Sequence, residues 1–564
     1  MDEDHPPAGP YAPIAASNLV GVPTWQRSDR LVLTPYFYWY DVFSGEHLVD
    51  IDGTDALTDH PPTLTGFSYR STAWHRQQLA DMAEAGVDIL LPVFWGEPGQ
   101  RIPGRAASDL PWSYAGLPPL VNARDREIDA GHNPPRIGLF YDTSTLTWNT
   151  AGERVDLTTE RGRHWFYETV RDFFSLIPPR HWAMIDGRPV VFLYSASFAK
   201  AYDEELVGFL NRRFAADFGG TTPYLVREVS WNLPADDVYA WGGATGLRRG
   251  TVSSLGPGYD HSAVPGREPL VVPRENGAFF ERQWLAFLRR PSLRVMVETW
   301  NEFHEGTEIA HSREYGRLYI TLTRRFADRF RAGILEPGPY TGAHAVEIRL
   351  GDPNVPSGLE QLEGGDGLTQ PALRDGSACR ITAPNPHGPR YLYLRAEDSF
   401  KAGGTAALHA VVEYLDVARG TLSLEFDGSD PAAPFQGAYS ASAPVTLSGS
   451  GQWRTAVFPL TGARLWNSQN HGADLRLAVG TLPLPVRRVQ LVRPGLRAVE
   501  PRSAASLRLE IYSPPGVRSA LEASTDLRAW REIALLQPFT IPALHQLDDP
   551  SGSPHRFLRL QLRP

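Results

Sequence analysis

Arg294-Val-Met-Val-Glu-Thr-Trp-Asn-Glu-Phe-His-Glu-Gly-Thr-Glu-Ile309 starts as a core strand and stops being one. Val295 and Val297 flank Met296 in a short apolar run of the kind buried in a parallel sheet. The run gives way to Glu298, Asn301, Glu302, His304 and Glu305, polar and charged residues that a core strand does not favour. A strand that turns polar at its C-terminal end is how a (β/α)8 barrel delivers reactive groups to its top face. Gly306 then permits a turn. Glu302 and Glu305 are close enough in the chain to serve one site.

Upstream of this stretch, apolar runs alternate with amphipathic helices. Residues 31–40, 87–95, 137–141, 189–194, 224–228, 237–241 and 251–255 read as strands one to seven, and the opening stretch as strand eight. Helices are predicted over 71–85, 158–177, 206–218, 280–288 and 315–330. The first has Ser71 or Thr72 at its start and Gly86 just past its end, the usual cap residues. Eight strands alternating with helices predict a parallel α/β fold, and the count favours a closed TIM barrel over an open sheet. No Gly-x-Gly-x-x-Gly follows the first strand, so a dinucleotide fold has no support.

The barrel, with an N-terminal arm to about residue 30, is expected over 1–335. Glu336-Pro-Gly-Pro-Tyr-Thr-Gly342 is a linker by composition. Beyond it, short alternating strands separated by turn residues predict an all-β sandwich over 345–497. A small all-β C-terminal module is expected over 498–564.

At 564 residues the chain is too long for one core. Its 42% hydrophobic and 11% aromatic content excludes disorder, and a net charge of −9 gives no basic footprint for nucleic acid. Only two of the 55 cationic residues are lysines, Lys200 and Lys401. Cys379 is the only cysteine, so no intrachain disulfide forms. No apolar run approaches the ~20 residues of a membrane span, and Met1-Asp-Glu-Asp-His lacks a leader pattern.

The strand ends supply the candidate site. They carry Tyr38, Trp39, Tyr40, Trp95, Tyr141, Asp142, Tyr194, Glu228, Trp241, Tyr259, Asp260 and His261, besides Trp300, Asn301, Glu302, His304 and Glu305 on strand eight. Aromatic faces stack on the C–H faces of sugars, and paired carboxylates do acid and base work on glycosidic bonds. Two carboxylates in one cleft oppose each other's ionisation, so one keeps a proton and the other stays charged. The bland alternative for this pair is a salt bridge to an arginine such as Arg267. His304, Glu305, Glu308 and His311 lack His-Glu-x-x-His spacing, so no metal is expected. Ser195 lacks a Gly-x-Ser-x-Gly elbow.

Trp300-Asn-Glu-Phe-His-Glu-Gly-Thr-Glu-Ile309 resembles the strand-eight signature of glycoside hydrolase family 99 and its bacterial relatives, Trp-Asn-Glu-Trp-x-Glu-Gly-Thr followed by an Ile-Glu pair. Tyr36-Phe-Tyr-Trp-Tyr40 is similar to that family's aromatic first strand, and Gly256-Pro-Gly-Tyr-Asp260 to its strand-seven loop. The resemblance spans about residues 30–335. It implies a retaining, endo-acting α-mannosidase-type hydrolase. By it, Glu302 is a base that deprotonates the substrate's 2-hydroxyl to give a 1,2-anhydro sugar, and Glu305 is the acid/base. It implies a substrate set of Tyr38, Trp39, Tyr40, Trp95, Tyr141, Asp142, Glu228, Tyr259, Asp260, Trp300, Asn301 and His304, with Tyr259 near the reacting sugar. Phe303 replaces the family's Trp, and Ala310-His311 replaces a Glu-Pro, so the sugar is less well defined than the reaction. The sandwich is similar to modules appended to bacterial glycosidases, some of which bind glycans or calcium while many only brace the barrel. The tail resembles modules of secreted proteins, which implies a secreted or periplasmic protein.

The expectation is therefore a monomeric glycoside hydrolase acting on a polysaccharide or glycan such as a mannan. It needs no cofactor, with room for a structural calcium in the sandwich, and has no nucleic-acid or membrane partner. The rivals are a non-catalytic carbohydrate-binding barrel and a metal-free polysaccharide lyase using Tyr259, His261 and Arg267.

Overall fold

Eight parallel strands form the barrel: β1 (Leu31–Tyr36), β2 (Ile89–Phe94), β3 (Leu139–Tyr141), β4 (Arg188–Leu193), β5 (Tyr224–Glu228), β6 (Asp237–Tyr239), β7 (Val252–Leu255) and β8 (Arg294–Val297). They pair in the order β6-β5-β4-β3-β2-β1-β8-β7. Leu31 lies opposite Arg294 and Leu33 opposite Ile89, so β8 returns to β1. Side chains help close the remaining seam. Val238 N–H donates to Thr251 Oγ1 (2.7 Å), and Ser254 Oγ donates to Ala240 O (2.6 Å). Strands β1, β2, β5, β7 and β8 are buried at every residue. That is why β1, β2 and most of β8 read as near-continuous apolar runs, whereas β7 carries Ser253 and Ser254 and β5 ends in Arg227-Glu228.

The computed structural model of the chain describes residues 6–101, 109–405, 407–503, 506–537, 540–548 and 557–563. They fall into two compact units, Met1–Glu336 and Pro337–Pro564. The first five residues of the expected arm, and Arg556 of the expected last strand, lie outside the described residues. Within the first unit the arm bonds along the barrel. Ile14 N–H donates to Asp217 O and Trp25 N–H to Met184 O.

Helix α1 (Thr72–Ala85) has the expected caps: Ser71 Oγ accepts from Trp74 N–H, and Gly86 takes a left-handed φ of 79°. Helices α3 (Glu160–Ser175), α4 (Glu205–Asp217) and α5 (Ala278–Arg289) fall where the periodicity puts them. Helix α2 (Leu117–Asp129), preceded by one turn at Trp112–Ala115, escaped the sequence reading. Its Pro118-Pro119 start looks like a breaker, yet proline is tolerated in a first helical turn.

Three expectations need correction. The strand–helix alternation lapses from β5 to β7. Eight residues, 229–236, join β5 to β6, too few for a crossover helix and its turns. Glycines at 242, 243, 246 and 250 keep the next connection to a 3-10 turn, Gly243–Thr245. Strand β1 ends at Tyr36, not Tyr40, because Phe37 gives its backbone bonds to the Asn301 side chain. Helix α6 (Leu318–Arg331) starts three residues later than expected, after a tight Ser312–Gly316 turn.

The second unit contains a seven-stranded and a six-stranded sheet sharing a core of residues such as Leu392, Leu394, Val412, Leu424, Phe458 and Leu477. Two three-stranded sheets follow, beginning with Gly495–Ser503. Within the sandwich Lys401 is buried with its ammonium 2.8 Å from Asp474, 3.2 Å from Asp398 and 2.5 Å from Asn467 Oδ1. Asp427 lies beside Asp474, and burial followed by Asp474's charge pushes it up to about 6. A lysine thus supplies the positive charge at the place in this module where acidic groups converge.

Removing that charge leaves Asp474 buried without its cation. Lys401→Met is expected to cost about 3–5 kcal/mol in urea unfolding, and Lys401→Met with Asp474→Asn to recover a good part of it.

Candidate active site

Strand β8 ends at Val297, and the chain from Thr299 to Ile309 folds back on itself. Thr299 Oγ1 accepts from Glu302 N–H (2.9 Å) and meets Thr307 Oγ1 at 2.9 Å. Ile309 N–H donates to Trp300 O at 3.0 Å. Asn301 mimics a neighbouring strand, accepting from Phe37 N–H and donating to Phe37 O, both at 2.8 Å. Tyr40 Oη donates to Asn301 O (3.0 Å) and accepts from Phe303 N–H (3.1 Å). Behind the loop, Arg274 bonds Asp59 (3.0 Å), the Glu308 carboxylate and the Glu308 carbonyl (2.9 Å). Its guanidinium lies over Tyr315 and Tyr319. Gly306, at φ 51°, is packed so closely that a Cβ would lie 3.2 Å from Asp260 O and Asp59 Oδ2. A side chain there would push on both loops.

Glu302 is buried, 3% exposed, and its Oε1 accepts from His304 N–H (3.0 Å) and pairs with His304 Nδ1 (2.7 Å). A hydrogen bond with the His47 backbone also favours the protonated His304 ring. Burial alone would lower His304, but the Glu302 charge more than offsets it and raises it. Burial pushes Glu302 up against the pull of His304, and the charge of Glu305 adds to the rise. No hydrogen bond to Glu302 Oε2 is made among the described residues.

Glu305 reaches solvent, 25% exposed in its side chain, and pairs with Arg267 at 2.6 Å. The arginine anticipated as the bland partner of this carboxylate is therefore present. Asp260 N–H donates to Glu305 O (2.9 Å), and Tyr259 bonds both Glu305 and His261. Burial, then the Glu305 charge, raises Tyr259.

A wall of rings adjoins His304. Tyr40 stacks on it at 5.6 Å, and Trp39 meets it edge-on at 5.5 Å. His47 lies flat on Trp39 (4.4 Å, 5° between planes), and Trp112 packs against Trp39 at 5.8 Å. Burial, then the charge of His304, depresses His47 to about 3, so its ring is neutral. Trp95 also meets Trp39, and its indole N–H donates to Asp142 at 2.5 Å. On the β4–β6 side, partly exposed Tyr194 and Trp241 pack at 5.5 Å. Burial, then Asp142, Glu305, Glu298 and Glu228 in turn, raises Tyr194.

The expected site residues thus divide. Glu302, Glu305, His304, Trp39, Tyr40, Trp95, Asp142, Tyr259 and Asp260 are joined by the contacts above. Tyr38, Tyr141, Trp300 and Asn301 are buried in the frame. Tyr38 Oη donates to Ser113 O, Tyr141 packs on Phe166, and Trp300 Nε1 donates to Gln78. Glu228 bonds its own loop at Ser230. Sequence reasoning missed His47, Trp112 and Arg274. Trp112, in an aromatic Trp-Ser-Tyr cluster between strands two and three, carried a usable signal. His47 did not, for its place depends on a left-handed backbone of φ 57°.

Glu298 is a third carboxyl at the end of β8. Its Oε2 accepts from Gly242 N–H (3.0 Å) and Ala244 N–H (3.4 Å). Gly256 passes so close that a Cβ would lie 2.2 Å from Glu298 O. Burial pushes Glu298 up to about 8. Among the described residues no three His, Cys, Asp or Glu side chains converge as metal ligands would.

Residues 39–342 match the family model described as "Domain of unknown function (DUF5010)". No curated protein matches the chain. Among solved structures it is similar to the GH99 endo-alpha-mannosidase from Bacteroides thetaiotaomicron, at 16% identity and TM-score 0.39, over 55% of this chain and 99% of that one. It is similar to the cyclic alpha-maltosyl-(1-->6)-maltose hydrolase from Arthrobacter globiformis at 12% identity and TM-score 0.32, over 78% and 100%. A family 29 carbohydrate binding module aligns at 10% identity and TM-score 0.17, over 26% of this chain and 86% of that one. At these scores the likenesses carry no inference about this chain's chemistry.

The raised Glu298 has a thermodynamic consequence. The folded chain holds this proton to about 8, against an ordinary 4.5. Stability from the buried neutral form is full below 4.5 and is lost as pH rises through 8. Glu298→Gln is expected to flatten the pH dependence of unfolding over that window by a few kcal/mol, read from urea melts at pH 5 and pH 8.5.

Proposed function

We propose that this chain, which belongs to the DUF5010 family through residues 39–342, is a retaining glycoside hydrolase with endo action on an α-linked polysaccharide or glycan. One observation carries the reading. A buried carboxylate, Glu302, is held by His304 at 2.7 Å, and a second, solvent-reaching carboxylate, Glu305, lies close enough for its charge to raise the first. An acid and a base in one cleft are what glycoside cleavage needs, whereas a carbohydrate binder needs neither. Trp95, partly exposed, offers a face for a sugar ring, backed by the buried Trp39.

In this reading Glu302 Oε2 takes the proton of the substrate's 2-hydroxyl. The 2-oxygen attacks the anomeric carbon as the bond to the leaving oxygen breaks, giving a 1,2-anhydro sugar. Glu305 gives its proton to the leaving oxygen. In the second half Glu305 takes a proton from water, which opens the ring at the anomeric carbon, and Glu302 returns its proton to the 2-oxygen. Two inversions give net retention. Glu305 is the carboxylate that reaches solvent, as an acid that must meet leaving group and then water requires. Substrate entry would have to displace Arg267 from it. The same pairing weakens the lyase reading, because Arg267 is engaged by Glu305 and Tyr259 is raised, a poor setting for a base.

Glu302→Gln and Glu305→Gln are each expected to lower kcat by about 10²–10⁴ while thermal unfolding stays near that of the parent chain. Near-normal turnover in either variant would overturn the assignment. Oligosaccharides methylated at the reacting sugar's 2-hydroxyl should resist cleavage. A product with an unsaturated end absorbing in the ultraviolet would make the protein a lyase instead.

A further inference from the structure

A cavity of about 680 Å³ opens beside the aromatic wall, away from the strand-eight carboxylates. Glu46, Tyr69 and Arg70 line it from the loop after β1, Gln100 and Trp112 from the segment after β2, and Thr150 from beyond β3. We propose that this cavity is a further subsite, which takes a neutral sugar unit of the same glycan chain. The proposal rests on the hydrolase reading above.

Continuity with the candidate site is the first ground. Trp112 lines the cavity and also packs against His47 at 5.9 Å and Trp39 at 5.8 Å. His47 and Trp39 both touch His304, which holds Glu302. One run of packed rings thus joins the reacting carboxylate to the cavity wall, so both stand on one frame. The volume lies within the range of small-ligand sites, roughly 300–1,000 Å³.

The second ground is the polar lining. Tyr69 Oη donates to Glu46 (3.0 Å) and accepts from Arg70 Nη2 (2.6 Å). This chain fixes a carboxylate and a guanidinium at the cavity wall, and a sugar's hydroxyls can both donate to the first and accept from the second. Gln100 accepts from Glu97 N–H at its carbonyl (3.1 Å), and its amide makes no bond among the described residues. The charge balance selects the sugar. Among the described lining residues the one guanidinium, Arg70, is already engaged by Tyr69 and lies 3.8 Å from Asp41. A uronate or sulfated unit would have to win that guanidinium from its partners beside the Glu46 carboxylate, which costs affinity. A neutral hexose meets no such penalty.

The test uses the full chain with α-linked gluco-, manno- and galacto-oligosaccharides of two and of five units. The subsite predicts that kcat/KM rises about tenfold or more from the disaccharide to the pentasaccharide of the preferred sugar, the worth of one or two good hydrogen bonds. In Arg70→Ala and in Gln100→Ala that ratio should fall severalfold, the loss being larger for the longer substrate. Arg70 is more than a third exposed, and Gln100→Ala stands as the second variant should Arg70→Ala fold poorly. Equal cleavage of both lengths, or equal losses on both in the two variants, would overturn the subsite and leave the hydrolase reading standing. No cleavage of any oligosaccharide by the parent chain would overturn both. Tighter calorimetric binding of pentagalacturonate than of the neutral pentasaccharides to Glu302→Gln would overturn the neutral-sugar assignment.

Discussion

A carboxylate buried at the mouth of a barrel must be given a counter-charge or lose its own, and Glu302 has His304. The pair is local in sequence, two residues apart, but its charge state is set by distant groups. Burial works against a proton on His304, while the Glu302 carboxylate and the His47 backbone favour one. His47 stays neutral because it is buried beside His304, and a neutral ring can lie flat on Trp39. The electrostatics of Glu302 and the shape of the aromatic wall are thus one arrangement.

Holding this pair in place is the work of the loop's framing. Asn301 extends the backbone pairing of β1 where the strand itself has ended, and Tyr40 bridges the carbonyl of Asn301 and the N–H of Phe303. Arg274 fastens the far end through Glu308 and Asp59. Several groups that look reactive in the sequence therefore serve as supports. Carboxylates divide by environment: Glu302 is paired and buried, Glu305 reaches solvent, Glu298 keeps a proton, and Glu308 is locked to an arginine.

In the second unit the same constraint is met differently. Asp474 and Asp427 are buried side by side, and Lys401, one of two lysines in the chain, brings its ammonium to Asp474 from within the sandwich. The buried acidic pair is balanced by a side chain, which ties that part of the module to the chain's own folding.

By itself the sequence determined the barrel and the stretch that matters in it. Parallel strands buried on both faces favour apolar residues, so β1, β2, β4 and β8 announce themselves, and the break of β8 into Glu302 and Glu305 marks where the core ends. Helix α2 was hidden behind Pro118-Pro119, while the stretch from β5 to β7, where the sequence offered no helical pattern, holds only a 3-10 turn. Only the tertiary structure decided which polar groups face one another. Trp300 and Glu302 lie two residues apart, yet one bonds Gln78 on α1 and the other His304. Burial, backbone handedness at His47 and the reach of Arg267 and Arg274 are long-range properties, and no local pattern encodes them.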